Sequence, residues 1–268
     1  MPDTGCWILD TRHSIFAIYC QLPTADCLIL HAAIFPDFDL SLPSRKKLNM
    51  KKTILTFLQQ IAANNDREWF QKNKGLYDEA KTEFESFINL LIPGIAKFDD
   101  TVKFITAKDC IFRFYRDIRF SADKSPYKTN FGAFITKGGK KSHGPGYYFH
   151  MQPGDCFLSG GIWMPAPDLV KKIRQEIYYN IADFRKILSD KNFKKYFNGI
   201  DDWDRQKQPP REFPKDFPDM DLLLNKSFTI SHPLDEKMLY SEKLIDFTHG
   251  VYKAMYPYNE FLRRATEG

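Results

Sequence analysis

A chain of 268 residues, 43% hydrophobic and 15% aromatic, carries enough apolar material for one large domain or two small ones. Its net charge of +5, from 39 basic against 34 acidic residues, is too even to mark a dedicated nucleic-acid binder or a membrane-surface protein. The five cysteines, at positions 6, 20, 27, 110 and 156, lack CxxC or zinc spacing, so reduced thiols in a cytoplasmic protein are expected, and the longest apolar stretch, Cys27 to Phe35, is far below the roughly 20 residues of a spanning helix.

Residues 1–49 hold three of the five cysteines, and Pro23, Pro36 and Pro43 interrupt their short apolar runs. They lack helical periodicity and the pattern of a signal peptide. They read as a poorly ordered extension or as sequence upstream of a start at Met50-Lys-Lys-Thr-Ile-Leu, leaving 50–268 as a single domain. From Thr53, the spacing of Ile54, Leu55, Phe57, Leu58 and Ile61 predicts an amphipathic helix. Asn65 with Glu68 has capping-box spacing for a second helix, which turns Trp69, Tyr77, Phe84, Ile88 and Leu91 inward and stops at Pro93-Gly94. Between Thr101 and Trp163 the period falls toward two, and strands are expected at 102–106, 110–120, 130–136, 146–152 and 155–163. Gly138-Gly139, Gly144-Pro145-Gly146 and Pro153-Gly154-Asp155 separate the later runs closely enough for antiparallel hairpins. Pro167 opens a further helix, punctuated by Asn180 and Ser189-Asp190, and a polar, proline-rich connection runs from Asp201 to Pro218. Lys226 to Ser231 can form one more strand. The last helix begins near Ser241 and is bent or ended near Pro257.

The stretch from Arg113 to Lys128 crowds five cations and two carboxylates into sixteen residues. Read as a strand, its parity puts Cys110, Phe112, Phe114, Ile118 and Phe120 on a core face and Arg113, Tyr115, Asp117 and Arg119 on the other. Arg116 falls among the apolar residues, so it needs a carboxylate, a bulge or a ligand. Arginine forks suit phosphate or carboxylate, and Arg113, Arg116 and Arg119 with Lys124, Lys128 and Tyr127 can form an anion pocket. An ion-pair network neutralised by Asp117, Asp123, Glu68 and Glu83 accounts for the same charges structurally. Asp117 is either a general base or a salt-bridge partner. Tyr148, His150 and Gln152 share one strand face, which makes His150 a candidate proton carrier and Tyr148 an aromatic wall. Arg67, Asn73 and Lys74, at the start of the second helix, form a possible second half-site.

No GxSxG, GxGxxG or P-loop motif occurs, and His143, His232 and His249 lack metal-ligand spacing, so no metal and no cofactor are expected. Cys110 and Cys156 read as small core residues.

The run Arg113-x-x-Arg116-Asp117-x-Arg119-Phe120, followed by Asp123-Lys124 and Tyr127, resembles the signature of the uncharacterised bacterial family DUF2461. Asn64-Asn-Asp-Arg67-Glu68-Trp69-Phe70, Asn73-Lys74, Tyr77, Gly146-Tyr-Tyr, Gly160-Gly161-Ile-Trp163-x-Pro165 and Lys226-Ser-Phe228 extend the likeness from about Met50 to the C-terminus. The resemblance implies no assigned activity.

An α+β domain is therefore expected, with a mostly antiparallel sheet of five or six strands flanked by N- and C-terminal helices. Its expected partner is a small phosphate- or carboxylate-bearing ligand. The alternatives are a nucleic-acid-binding module stacking bases on Tyr115, Tyr127 and Tyr147, or a scaffold with a structural arginine network.

Overall fold

Ile54, Leu55, Phe57, Leu58 and Ile61 recur on one side of helix α1 (Thr53–Ala63), and all five are buried. The structure is a computed structural model and describes residues 6–9, 15–18, 52–119 and 122–267. The chain divides into two units, 1–46 and 47–268. In the first, β1 (Cys6–Leu9) pairs antiparallel with β2 (Ile15–Ile18), Cys6 opposite Ile18. The expectation of a poorly ordered extension otherwise lies outside the described residues.

In the second unit, α1 is followed by a short helix, α2 (Arg67–Lys72), and by the long α3 (Lys74–Ile95). The expected capping box at Asn65 is replaced: Asp66 caps α2, accepting from the Trp69 amide at 2.8 Å. Asn65 is engaged elsewhere, donating from Nδ2 to the Tyr127 carbonyl at 3.0 Å and accepting from the Tyr127 amide at 3.1 Å. Helix α3 also runs through Pro93-Gly94, because burial of Ile92 and Ile95 outweighs the hydrogen bond that proline removes near a helix end. Gly94 serves packing there. A Cβ on it would fall 2.0 Å from His249 Nε2, the atom that donates to the Leu91 carbonyl at 3.0 Å.

The sheet among the described residues of this unit has four strands instead of five or six: β3 (Phe131–Ile135), β4 (Gly146–Met151), β5 (Phe157–Ile162) and β6 (Phe228–Pro233), antiparallel in that order. The run at 102–106 includes the end of a 3-10 turn, Asp100–Val102, and continues as turn and loop. The run at 110–120 begins inside helix α4 (Ala107–Cys110), which Thr106 and Asp109 close with a capping box. Beyond it the extended chain meets β3 only at Ile111–Ala133 and folds back on itself at Tyr115–Tyr127. Past the single bond from the Phe112 amide to Gly132 of β3, its backbone bonds join it to its own return segment, Arg116 to Pro126 and Lys128 to Phe114, each at 3.0 Å, so it adds no ladder to the sheet.

Register divides the sheet cleanly. Ala133, Tyr147, Phe149, Leu158 and Ile230 lie on one face and are fully buried. Phe87 of α3 meets Phe149 edge-on at 4.9 Å. The C-terminal helix lies on the same face, after α5 (Pro167–Tyr179), α6 (Ile181–Ser189), α7 (Lys191–Tyr196), α8 (Met220–Leu223) and α9 (Glu236–Leu239). This helix, α10 (Leu244–Glu267), continues past Pro257. It is tied to β4 by Asn259 Nδ2 donating to the Gly146 carbonyl and Tyr252 Oη donating to the Tyr148 carbonyl, both at 3.0 Å. It passes so close that a Cβ on Gly160 would lie 2.7 Å from Met255 Sδ. Near the end of α10, Arg263 donates to the buried Asp99 at 2.9 Å, and Asp99 also accepts from Tyr147 Oη at 3.0 Å. The opposite sheet face carries Gly132, Phe134, Tyr148, His150, Phe157, Ser159 and Ser231, and it is this polar face that positions the site.

Candidate functional site

Phe114 and Tyr127 turn inward together, and Tyr127 stacks on Phe70 with ring centroids 4.1 Å apart. The Asn65 clamp on the Tyr127 backbone fixes this pair from outside the segment. Arg113, Tyr115, Asp117 and Arg119 consequently face solvent. Phe120 lies outside the described residues, and Ile118 is half-buried.

Asp117 gathers two of the arginines. Arg119 donates from Nε at 2.9 Å and from Nη2 at 2.7 Å, while Arg113 Nη2 stands 3.7 Å away. These bonds, Arg119's first, hold the Asp117 carboxyl down at about 2. A carboxylate so held stays anionic and is a weak proton acceptor, so its environment suits ion pairing better than general-base work. Arg116 pairs with Asp123 and donates to Ser125 Oγ at 3.0 Å, which gives the misplaced arginine its carboxylate. Lys124 Nζ donates to the Ile118 carbonyl at 3.0 Å and so closes the loop on itself.

Lys128 stands apart from these pairs. It is half-buried, with Nζ 5.5 Å from the centroid of Phe112, and no described carboxylate lies within salt-bridge distance of it. Burial, and then the charges of Arg113 and Arg116, push its ammonium below the usual lysine range. Phe112 was expected on the core face. It lies instead on the polar side, because Phe112 donates its amide to the Gly132 carbonyl at 3.0 Å and its ring meets Tyr148 at 6.3 Å.

Behind Lys128, Tyr148 Oη and His150 Nδ1 share a hydrogen bond at 2.9 Å. Burial pushes the Tyr148 hydroxyl up to about 12 and moves His150 below the ordinary imidazole range, with Lys128 adding to the fall. Both are therefore neutral near pH 7. His150 stacks on Phe157 at 4.5 Å. Gly132, opposite His150, leaves space for the Tyr148 hydroxyl, which would stand 2.5 Å from a Cβ at that position.

The remaining candidates are dispersed. Asn73 donates to the Trp69 carbonyl at 2.9 Å and finishes α2, while Arg67 and Lys74 are exposed. Of the three tyrosines considered as base platforms, Tyr127 and Tyr147 are buried and only Tyr115 is 48% exposed. Sequence reading missed a second polar group on the same face: Asp201 accepts from Thr229 Oγ1 and Ser231 Oγ, each at 2.7 Å, and Ser231 Oγ lies 3.2 Å from Ser159 Oγ. The period-two placement of Thr229 and Ser231 was the available signal. The Asp201 partner came from a loop and gave none. Among the described residues no cluster of three or more His, Cys, Asp or Glu is arranged to hold a metal, and no helix is long and apolar enough to cross a membrane.

An antiparallel sheet backed by helices on one face, with a polar opposite face bordered by arginine and lysine, defines an α+β domain. The family model described as "Conserved hypothetical protein (DUF2461)" matches residues 53–261, and the chain belongs to that family. No curated protein and no solved structure matches the chain.

Proposed function

We propose that the domain recognises a small phosphate- or carboxylate-bearing molecule at Lys128 and Arg113, against the Tyr148–His150 pair. The observation that carries this reading is the position of Lys128: half-buried, near two arginines, and without a carboxylate among the described residues. Arg116 and Arg119 have Asp123 and Asp117, whereas Lys128 Nζ faces the Phe112 ring. An anion bound beside it would offset the burial cost of the ammonium and the repulsion among the cations. The neutral His150 adds a polar ring to the site without a competing charge, and a ring beside the cation gives a ligand one flat wall. Were the bound group to react by hydrolysis or transfer, the same cations would stabilise developing negative charge. A strand of nucleic acid fits less well, because two of the three candidate stacking rings are buried.

The test is a thermal-shift titration with inorganic phosphate, pyrophosphate and citrate at constant ionic strength, on the parent protein and on Lys128→Met and Arg116→Met. At least one anion is expected to raise the Tm of the parent and of Arg116→Met, and to leave Lys128→Met unmoved. An identical response in the parent and Lys128→Met would overturn the proposal. The response of the parent should also fade as pH rises through the lowered pKa of Lys128, since the anion favours the ammonium that is lost there.

A further inference from the structure

Among the described lysines only Lys128 and Lys140 are partly shielded from solvent, and Lys140 Nζ donates to the Lys108 carbonyl at 2.6 Å. Lys128 Nζ makes no hydrogen bond among the described residues. It lies over Phe112, whose ring also meets Tyr148. The side chain leaves from a fixed point, because the Lys128 amide donates to the Phe114 carbonyl and the Tyr127 backbone before it is clamped by Asn65. Two influences act on the ammonium, burial first and then the charges of Arg113 and Arg116, and both favour the free amine. Desolvation and a neighbouring cation are the two conditions that turn a lysine into a nucleophile near neutral pH. Lys124, on the same segment, meets neither condition in the same way: it is exposed, and its Nζ is engaged by the Ile118 carbonyl at 3.0 Å.

From this we infer that Lys128 is a nucleophile which forms a Schiff base with an aldehyde or ketone whose anionic group is held by Arg113. The inference rests on the anion-binding reading given above and adds the reacting group of the ligand to it. Arg113 suits the anchoring part: it is exposed, and its Nη2 stands 3.7 Å from Asp117, too far for a hydrogen bond that would have to be broken. The lone pair of the Lys128 amine attacks the carbonyl carbon, and one N–H proton passes to the carbonyl oxygen to give a carbinolamine. That oxygen then leaves with a further proton as water. Counted from the ammonium, two protons of Nζ depart with the oxygen and the product is a protonated imine, so charge and atoms balance and nothing is oxidised or reduced. The Tyr148–His150 pair, neutral and close enough for His150 to feel the charge of Lys128, provides a hydroxyl and an imidazole to carry the proton between nitrogen and oxygen. The Phe112 ring covers one side of Nζ and excludes water that would hydrolyse the imine.

The experiment is reductive trapping on the full chain with substoichiometric glycolaldehyde phosphate, glyoxylate or uncharged glycolaldehyde. Sodium cyanoborohydride fixes each imine as a secondary amine, and peptide mass mapping locates it. At least one of the two charged aldehydes is expected to label Lys128 several-fold more than Lys124 or Lys140, and the better of the two identifies phosphate or carboxylate as the charge that is read. Glycolaldehyde, which gives Arg113 nothing to hold, should label Lys128 several-fold less. In Arg113→Met the charged and uncharged aldehydes should label Lys128 alike. Labelling of Lys128 no greater than that of Lys124 by both charged aldehydes would overturn the inference. If the parent is nonetheless stabilised by an anion that leaves Lys128→Met unmoved, the anion reading stands without the covalent step. Preferential labelling of Lys128 that is the same for charged and uncharged aldehydes would also overturn the inference, and would count against the anion reading instead of the reactive amine.

Discussion

Two arginine–aspartate groups in this domain look alike on paper and differ in what surrounds them. Arg263 reaches Asp99 at 2.9 Å with side chains 12% and 1% exposed, and Tyr147 and Thr101 complete the shell of the carboxylate. Arg119 reaches Asp117 at 2.7 Å with side chains 76% and 40% exposed. In the first group the Asp99 carboxylate is sealed among its donors and joins α10 to β4 and to the turn after α3, while Arg263 also pairs with the half-buried Glu260. In the second the pair sits in water beside cations that outnumber it. A charged cluster thus works as structure where burial makes its partners indispensable, and adds little to stability where solvent screens its pairs.

Three substitutions can break or sharpen that comparison. The largest effect is expected from Arg263→Met, which strands the Asp99 carboxylate in the core; urea denaturation should show a loss of about 3–5 kcal/mol. The loss should shrink at low pH. Asp99 is held below the usual carboxylate range by Thr101, Arg263 and Tyr147, against the opposing effect of burial, so its contribution is complete above the unfolded pKa and disappears as pH falls through the lower folded one. A loss unchanged between pH 7 and strong acid would show that the pair is incidental.

An intermediate effect is expected from Asn65→Ala. It removes both side-chain bonds to the Tyr127 backbone and leaves a part-buried amide and carbonyl unpaired, at about 1–3 kcal/mol. The same change should loosen the Arg113–Lys128 segment, seen as faster amide exchange at Lys128, whose amide donates to the Phe114 carbonyl. If exchange there stays slow, the clamp is not what orders the segment.

The smallest effect is expected from Arg119→Met, for which the urea midpoint should stay where it is in the parent because both partners are solvated. A midpoint shift comparable to that of Arg263→Met would put the exposed cluster among structural networks and remove the distinction drawn between the two.

Much of the secondary structure was legible in local pattern. The stripe of Ile54, Leu55, Phe57, Leu58 and Ile61, the alternation through Tyr147, Phe149 and Met151, and Pro167 at the first position of α5 each announce an element through periodicity or backbone chemistry that needs no distant partner. The misreadings share one cause. Pro93-Gly94 looked like a stop, yet the helix continues because Ile92 and Ile95 are buried, and the glycine is where His249, far along the chain, packs against it. The 110–120 run has real alternation at Phe114 and Tyr115, but alternation cannot say whether a neighbouring strand is present to pair with, and here the chain pairs with its own return. Asn65 and Asp66 are both good caps, and only the position of Tyr127 decides which of them caps.

The candidate site divides the same way. Residue chemistry by itself determined that the Arg113–Lys128 stretch carries more charge than a surface needs, that Arg116 requires a carboxylate, and that Tyr148 and His150 share a face. Tertiary structure alone decided that Lys128 is half-buried against a ring and beside arginines, whereas Lys124, likewise without a carboxylate among the described residues, is exposed and reaches the Ile118 carbonyl. It alone buried Arg174, which in sequence is one more basic residue on an amphipathic helix. The physical reason is that composition and spacing set what a side chain can do, whereas desolvation and the presence or absence of an opposite charge depend on residues tens of positions away, and these set the cost of leaving it unpaired.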